Sequence, residues 1–164
     1  ARMVLHADSG DALGNYAIGA VRVASGELEL AEDALRRSMV RQRLPRALND
    51  LAWLLQAKKA YAEAETLARE ATALRPTMHQ AWDALGEILM RQGKLTEAEV
   101  ALEKVLSLTP DSLAALLHMA QLQAAKGDEP HAREILLMIA SRADRLSSKA
   151  KAEYDALHRA LGDD

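Results

Sequence analysis

The chain has 164 residues, 49% apolar and 27% charged, a balance that fits one soluble globular domain or repeat array and predicts no second domain. A formal charge of −3 gives no general attraction to nucleic acid or an anionic membrane, and the lack of cysteine excludes disulfides and thiolate metal sites. Phe is absent and aromatics make up only 3%, so Leu and Ala must fill the core, which suits closely packed helices. No apolar run approaches the roughly 20 residues needed to cross a bilayer, and no secretory leader is visible. The chain does not start with Met, so we expect it to be cut from a longer protein. Its Ala/Leu/Arg-rich usage points to a bacterial source and leaves cytoplasm and periplasm equally open.

Residues 1–10 follow the end of a second helix found later, ALEKVLSLTP. Ala1 falls on Leu102, Val4 on Val105 and Ser9 on Pro110, so they read as the remnant of a preceding hairpin, with Met3, Val4 and Leu5 held only by the next one. Residues 11–44 form the first complete hairpin, in degenerate form. Its second half, Gly26 to Glu32, superposes on Gly93 to Glu99, and Leu35 falls where Leu102 falls. Asn15 replaces a large residue, while Ile18 and Gly19 keep the places of Leu85 and Gly86; Arg43 replaces a proline, and the unit runs one residue short.

Residues 45–78 keep the pattern at Leu48, Leu51, Ala52, Leu55, Ala64, Ala68, Ala71 and Pro76. Lys59 stands where Gly93 stands, so this turn must close without glycine. The second helix, Tyr61 to about Leu74, is alanine-rich, which implies tight packing.

Residues 79–112 carry the clearest pattern. From Ala81 to Met90 apolar residues recur at three and four, the mark of an amphipathic helix. Gly93 is expected to close that helix in the left-handed conformation, which costs glycine nothing sterically. A second helix runs from near Leu95 to about Leu108, with Ala98, Ala101, Leu102, Val105 and Leu106 on one face. Pro110 ends it, and Asp111 is placed to cap the helix that follows. The small Gly86 and Ala98 let two helices approach where Trp82 and Leu102 fill the space.

Residues 113–146 hold Leu116, Met119, Ala120, Gly127, Ala132, Leu136 and Ile139 in register, with Asp128 and Pro130 marking a helix start. After Asp144 the register is lost. Residues 147–164 still show helical spacing in Ala152, Leu157 and Leu161, which predicts a capping helix from about Ser148 that turns Lys149, Lys151, Glu153, Asp155 and Arg159 to water, and a frayed Gly162-Asp-Asp end.

Trp82, Leu85, Gly86, Leu89, Gly93, Ala98, Leu102 and Pro110 match, in order and spacing, a helix–turn–helix unit of about 34 residues. The chain therefore resembles the tetratricopeptide repeat family. The resemblance implies an all-α, right-handed α-solenoid of stacked helix–turn–helix repeats, with no catalysis and no cofactor. It also implies a protein or peptide partner bound in a concave groove lined by the first helices. Carried onto this chain, the groove takes Leu13, Tyr16 and Ala20 from the first repeat, and Arg46, Asn49, Trp53 and Gln56 from the second. The third supplies Gln80, Asp83, Glu87 and Met90, and the fourth Ala114, Leu117, Gln121 and Ala124. Trp53 is the most informative, because packing does not require an indole there; its alternative is to fold sideways as core. Trp82 occupies a signature position and is read as structural.

Family members that grip a chaperone tail's terminal carboxylate use a set of Lys, Asn and Arg. The matching places here read Tyr16, Ala20, Asp50, Gln80 and Ala84 in one window, and Asn49, Trp53, Ala84, Ala114 and His118 in the next. Neither window is cationic, so chaperone-tail binding is disfavoured. The run Arg36, Arg37, Arg41, Arg43 and Arg46 offers an anion site, but Glu27, Glu29, Glu32 and Asp33 precede it within a turn or two, which favours mutual neutralisation on a solvated face. His6, His79, His118, His131 and His158 are scattered and indicate no metal site; Asp83 with Glu87 reads as a solvated pair rather than acid–base machinery. Pentatricopeptide RNA readers are the nucleic-acid alternative; they tend to be basic with a longer repeat, whereas this chain is acidic. Two further readings stay open: self-assembly through the open repeat ends, and a regulatory arm of a larger enzyme.

Overall fold

The structure, a computed structural model, describes residues 11–40 and 42–162. The expected helix remnant over residues 1–10, Arg41 of the basic run and the terminal Asp163 and Asp164 lie outside the described residues. Among the described residues the regular structure is entirely helical: α1 (Ala12–Ala24), α2 (Leu28–Ser38), α3 (Pro45–Ala57), α4 (Tyr61–Leu74), α5 (His79–Arg91), α6 (Leu95–Leu108), α7 (Leu113–Ala125), α8 (Glu129–Ala140), a 3-10 turn over Ala143–Arg145, and α9 (Ser148–Leu161). No helix here is long and apolar enough to cross a membrane.

The chain divides into two compact units between Ala84 and Leu85, within α5. Each hairpin packs chiefly between its own two helices and less against its neighbour, as expected of an array of repeats.

In the first unit α1 packs on α2, α3 on α4, and α2 on α3. Gly19 makes the first of these contacts possible, since a Cβ there would lie 2.8 Å from the Leu35 side chain. Leu35, Leu48, Leu51 and Leu54 are fully buried, each contributing about 1.5–3 kcal/mol, and Ala64, Ala68 and Ala71 let α4 approach closely. Asn15, at a place the pattern gives to a large apolar residue, is buried because its Nδ2 donates to the Asp11 carbonyl oxygen (2.8 Å). Asp11 also caps α1, accepting from the Leu13 amide (3.1 Å). Ion pairs lace the outside: Arg36 to Glu32 and Glu63, Lys58 to Glu29 and Glu32, and Arg43 to Glu70.

Ala47, Leu51 and Leu54 of α3 are all fully buried. In the same register on α1, Gly14 and Ile18 are half-buried and Val21 is 58% exposed where Leu54 is 0%.

In the second unit α6 packs on α7, α7 on α8, and α9 on both α7 and α8. Gly86 repeats the role of Gly19, with its notional Cβ 2.9 Å from the Leu102 side chain. Ser112 caps α7 through the Ala115 amide (3.3 Å). Asp111, expected in that role, sits one residue too early and instead meets Arg142 at 3.4 Å. Asp128 caps α8, and Ser147 caps α9. The buried residues of α9 are Tyr154 and Leu161; Ala152 is exposed, contrary to the spacing argument. Arg133 Nε donates to the Leu161 carbonyl oxygen (3.0 Å) and so satisfies the end of α9.

Candidate functional site

Packing consumes Ala47, Leu48, Leu51, Ala52, Leu54 and Leu55 of α3. What remains at helical spacing is one face carrying Arg46, Asn49, Trp53 and Gln56. Trp53 keeps 48% of its surface in water, so it is neither swallowed by the core nor free of it. Asn49 Nδ2 donates to Asp50 Oδ1 (3.2 Å). Asn49 Oδ1 and Gln56 Oε1 are both buried acceptors with no donor among the described residues. An unmet buried acceptor costs about 1–3 kcal/mol.

Beside this face lies a recess of about 570 Å³. Tyr16 comes from α1, and Arg46, Asn49 and Asp50 from the start of α3. Arg75, Thr77 and Met78 come from the segment after α4, and His79 and Gln80 from the first turn of α5. That segment is held in place by Trp82, whose indole Nε1 donates to the Pro76 carbonyl oxygen at 2.9 Å. Trp82 is thus structural, as its signature position predicts, and the part it holds is the recess wall.

The recess has its own polar network. Burial raises the Asp50 pKa above the ordinary carboxylate value, only partly offset by hydrogen bonds from Asn49 and Tyr16 and by the Arg46 charge. The Tyr16 hydroxyl is raised as well, first by burial, then by the Asp50 charge and the hydrogen bond to it, against a lowering by Arg46, which hydrogen bonds the same hydroxyl. Tyr16 is therefore a lasting donor to Asp50. Arg46 and Arg75, both exposed, make no ion pair among the described residues. By contrast Arg36, Arg37 and Arg43 are each matched by a carboxylate, and Glu63 and then Glu32 hold the Arg36 guanidinium above its ordinary pKa in spite of some burial.

A second recess, of about 300 Å³, is lined in the second unit by Glu87, Met90, Arg91, Gln121 and Glu153. Its charges are internally matched: Arg91 lies 3.7 Å from Glu87, and Gln121 Nε2 donates to Glu153 at 3.5 Å.

The expected groove residues fall into separate groups. Tyr16, Arg46, Asn49 and Gln80 meet in the first recess, and Glu87, Met90 and Gln121 in the second. Trp53 and Gln56 share the α3 face but line neither recess. Asp83 is half-buried on α5, also outside both. Leu117 is corrected: it is 1% exposed and belongs to the core of the second unit, because α7 is apolar on nearly all sides and buries Ala115, Leu116, Met119, Ala120 and Leu122 as well. Leu13 is exposed, and Ala20 and Ala124 are half-buried. Sequence reasoning missed Arg75, Thr77 and Met78, because they lie in a connection between hairpins, and Glu153, because α9 is out of the repeat register. Among the described residues no three His, Asp or Glu side chains are grouped to hold a metal ion.

A sequence model of the tetratricopeptide repeat matches residues 46–75, and a second of the same description matches residues 89–161, together well over half of the chain. Solved structures agree. The first TPR of Spaghetti (RPAP3), bound to the HSP90 peptide SRMEEVD, is 26% identical with a TM-score of 0.69, covering 75% of this chain and 98% of that one. TTC0263, a thermophilic TPR protein of Thermus thermophilus, is 19% identical with a TM-score of 0.78, covering 92% and 83%. YrrB, described as a TPR protein with an unusual peptide-binding site, is 20% identical with a TM-score of 0.76, covering 91% and 76%. No curated protein matches the chain.

Proposed function

Because the chain belongs to the tetratricopeptide repeat family, whose members are protein-interaction scaffolds, we propose that it is a non-catalytic module binding an extended peptide segment of a partner protein along its first helices. The α3 face and the adjoining recess are the primary contact. The observation that carries this reading is the half-exposed indole of Trp53 on the one α3 face that the core leaves free, between Asn49 and Gln56. Seven residues of helix separate those two, roughly 10 Å at 1.5 Å per residue. About three residues of extended peptide span the same distance. The indole supplies the apolar contact between them. The RPAP3 domain, above 25% identity, is a peptide receptor of the same fold, which supports the class of partner.

The test is selection from a random-peptide display library, followed by anisotropy of a labelled winner. Trp53→Ala and Gln56→Leu are expected to weaken binding by about tenfold each, roughly 1.4 kcal/mol, with the fold retained and, for Gln56→Leu, a raised melting temperature because the unmet acceptor is gone. Unfolding of Trp53→Ala would make the residue core, and undiminished binding by both variants would move the site elsewhere.

A second reading, self-assembly, is favoured by one observation, the exposed Val21 of α1 in the register of the fully buried Leu54. A second copy would seal it as α3 is sealed. Light scattering decides: a dimer that Val21→Glu dissociates supports stacking, and a concentration-independent monomer removes it.

A further inference from the structure

We propose that the seat α9 occupies against α7 and α8 is a second binding site, one that takes an amphipathic helix of a partner protein, with α9 as its resident latch. The site lies wholly in the second unit and is independent of the α3 face.

The seat reads the end of the helix that fills it. In both units one residue of a hairpin's second helix, directly after a fully buried alanine, grips the end of the next hairpin's first helix. Glu32, after Ala31, meets Lys58 at the end of α3 (2.6 Å), and Glu99, after Ala98, meets Lys126 at the end of α7 (2.8 Å). On α8 the residue after the buried Ala132 is Arg133, so the sign is reversed. Its Nε (3.0 Å) and Nη2 both donate to the carbonyl oxygen of Leu161, the last residue of α9, while Glu129 steadies the guanidinium at 3.4 Å. A guanidinium in this place repels a further hairpin of the same kind, which would bring a lysine. It accepts a helix that ends in bare carbonyls, the negative end of the helix dipole. A stacked repeat is thereby disfavoured and a single helix favoured.

α9 holds the seat lightly. Of its 14 residues only Tyr154 and Leu161 are buried, seven apart and so on one face, whereas α7 buries seven of 13. One polar contact joins it to α7, from Gln121 Nε2 to Glu153 at 3.5 Å. Many of its bonds are its own. Ser147 caps it through the Ala150 amide (3.3 Å), Lys149 lies 3.8 Å from Glu153, Lys151 lies 2.5 Å from Asp155, and the Tyr154 and His158 rings are 5.7 Å apart. Pairs at this spacing support a helix away from its seat. The occupant's chemistry follows from that of α9: two large apolar side chains seven residues apart, a carboxylate just before the first of them for Gln121, and an end without lysine.

The probe is a labelled synthetic peptide of residues 146–162, blocked at both ends, read by anisotropy against the full chain. Tyr154→Ala loosens the latch and is expected to tighten the peptide by about tenfold over wild type. Hydrogen exchange should then show the α9 amides opened and those of α7 and α8 still protected. Leu161→Ala, which frees the same helix at its other end, should act alike, and Arg133→Glu added to either should undo the gain. Peptide binding that Arg133→Glu leaves intact, or none once α9 is released, overturns the proposal. So do α9 amides that stay protected in both loosened variants, and so does lost protection of α7 and α8 in both, which makes α9 part of the core. A loosened variant that dimerises in light scattering and refuses the peptide also overturns it, by giving the seat to a second copy.

Discussion

The two units are built from the same hairpin, yet their recesses differ in how charge is disposed. In the second unit Arg91 lies one helical turn from Glu87, and Gln121 is spent on Glu153 of the final helix. In the first unit, among the described residues, Arg75 makes no ion pair, Arg46 meets Asp50 only through its charge and the Tyr16 hydroxyl, and two buried acceptors on α3 find no donor. The repeat pattern governs which residues meet in the core; it leaves the faces between core positions unspecified. A recess becomes a receptor only where the chain withholds its own partners from the groups that line it.

The largest effect expected of a single change is on the wall of the first recess. Trp82 holds the segment that bears Arg75 and His79 through its bond to Pro76, whereas the matching residue of the next hairpin is Leu116, which has no N–H to give. Trp82→Ala should cost about 2–3 kcal/mol, the lower part of the range for large aromatic truncation because the indole is only partly buried, and a melting point some 5–10 °C lower. Trp82→Leu keeps most of the apolar area, so about 1 kcal/mol is lost, with the loss of peptide affinity exceeding the loss of stability. Thermal unfolding and anisotropy on the same samples check both; Trp82→Leu that binds as wild type would show that the wall needs no such anchor.

Asp50 gives the next effect. Its pKa is raised in the folded protein from an ordinary value of 3.8, so the folded state binds more protons than the unfolded state between the two values. Its contribution to stability is therefore fully favourable below the unfolded pKa and declines as pH rises through the folded one. The groups facing it are Tyr16, Asn49 and Arg46, with Arg75 and His79 on the same recess. Asp50→Asn removes the titration: its stability relative to wild type should rise as pH climbs from the unfolded value through the folded one. Urea unfolding at several pH values reads the difference.

Core and turns were legible in the sequence because they repeat. Gly19 and Gly86 touch Leu35 and Leu102, as their shared register requires, and α4 and α6 span Tyr61–Leu74 and Leu95–Leu108 where breakers and apolar spacing place them. The neutralised Arg36 and Arg37 were legible from the nearby Glu32 and Asp33, but Arg43 was not, since its partner is Glu70 on α4. The recess was only half legible. Spacing along one helix finds Arg46 and Asn49, but it has no way to find Arg75 and Met78, which reach the cavity from a connection whose path depends on a tertiary hydrogen bond. Leu117 failed for the opposite reason: a helix apolar on nearly every side has no free face to offer, and periodicity cannot reveal that α7 is enclosed.

The smallest effect concerns the turns. Gly26, Gly93 and Gly127 close theirs at φ of 73°, 74° and 82°, and Lys59 takes the same part at 62°. An L-residue in the left-handed region pays roughly 1–2 kcal/mol through its Cβ, whereas glycine gives back about 0.5–1 kcal/mol in unfolded-state entropy. Lys59→Gly should therefore stabilise by about 0.5 kcal/mol, a rise of one or two degrees in melting temperature, and bring this turn into line with those of the second unit. Lys59 lines neither recess, so peptide affinity should not move. A change in affinity without a change in stability would mean that the turn at Lys59 takes part in recognition.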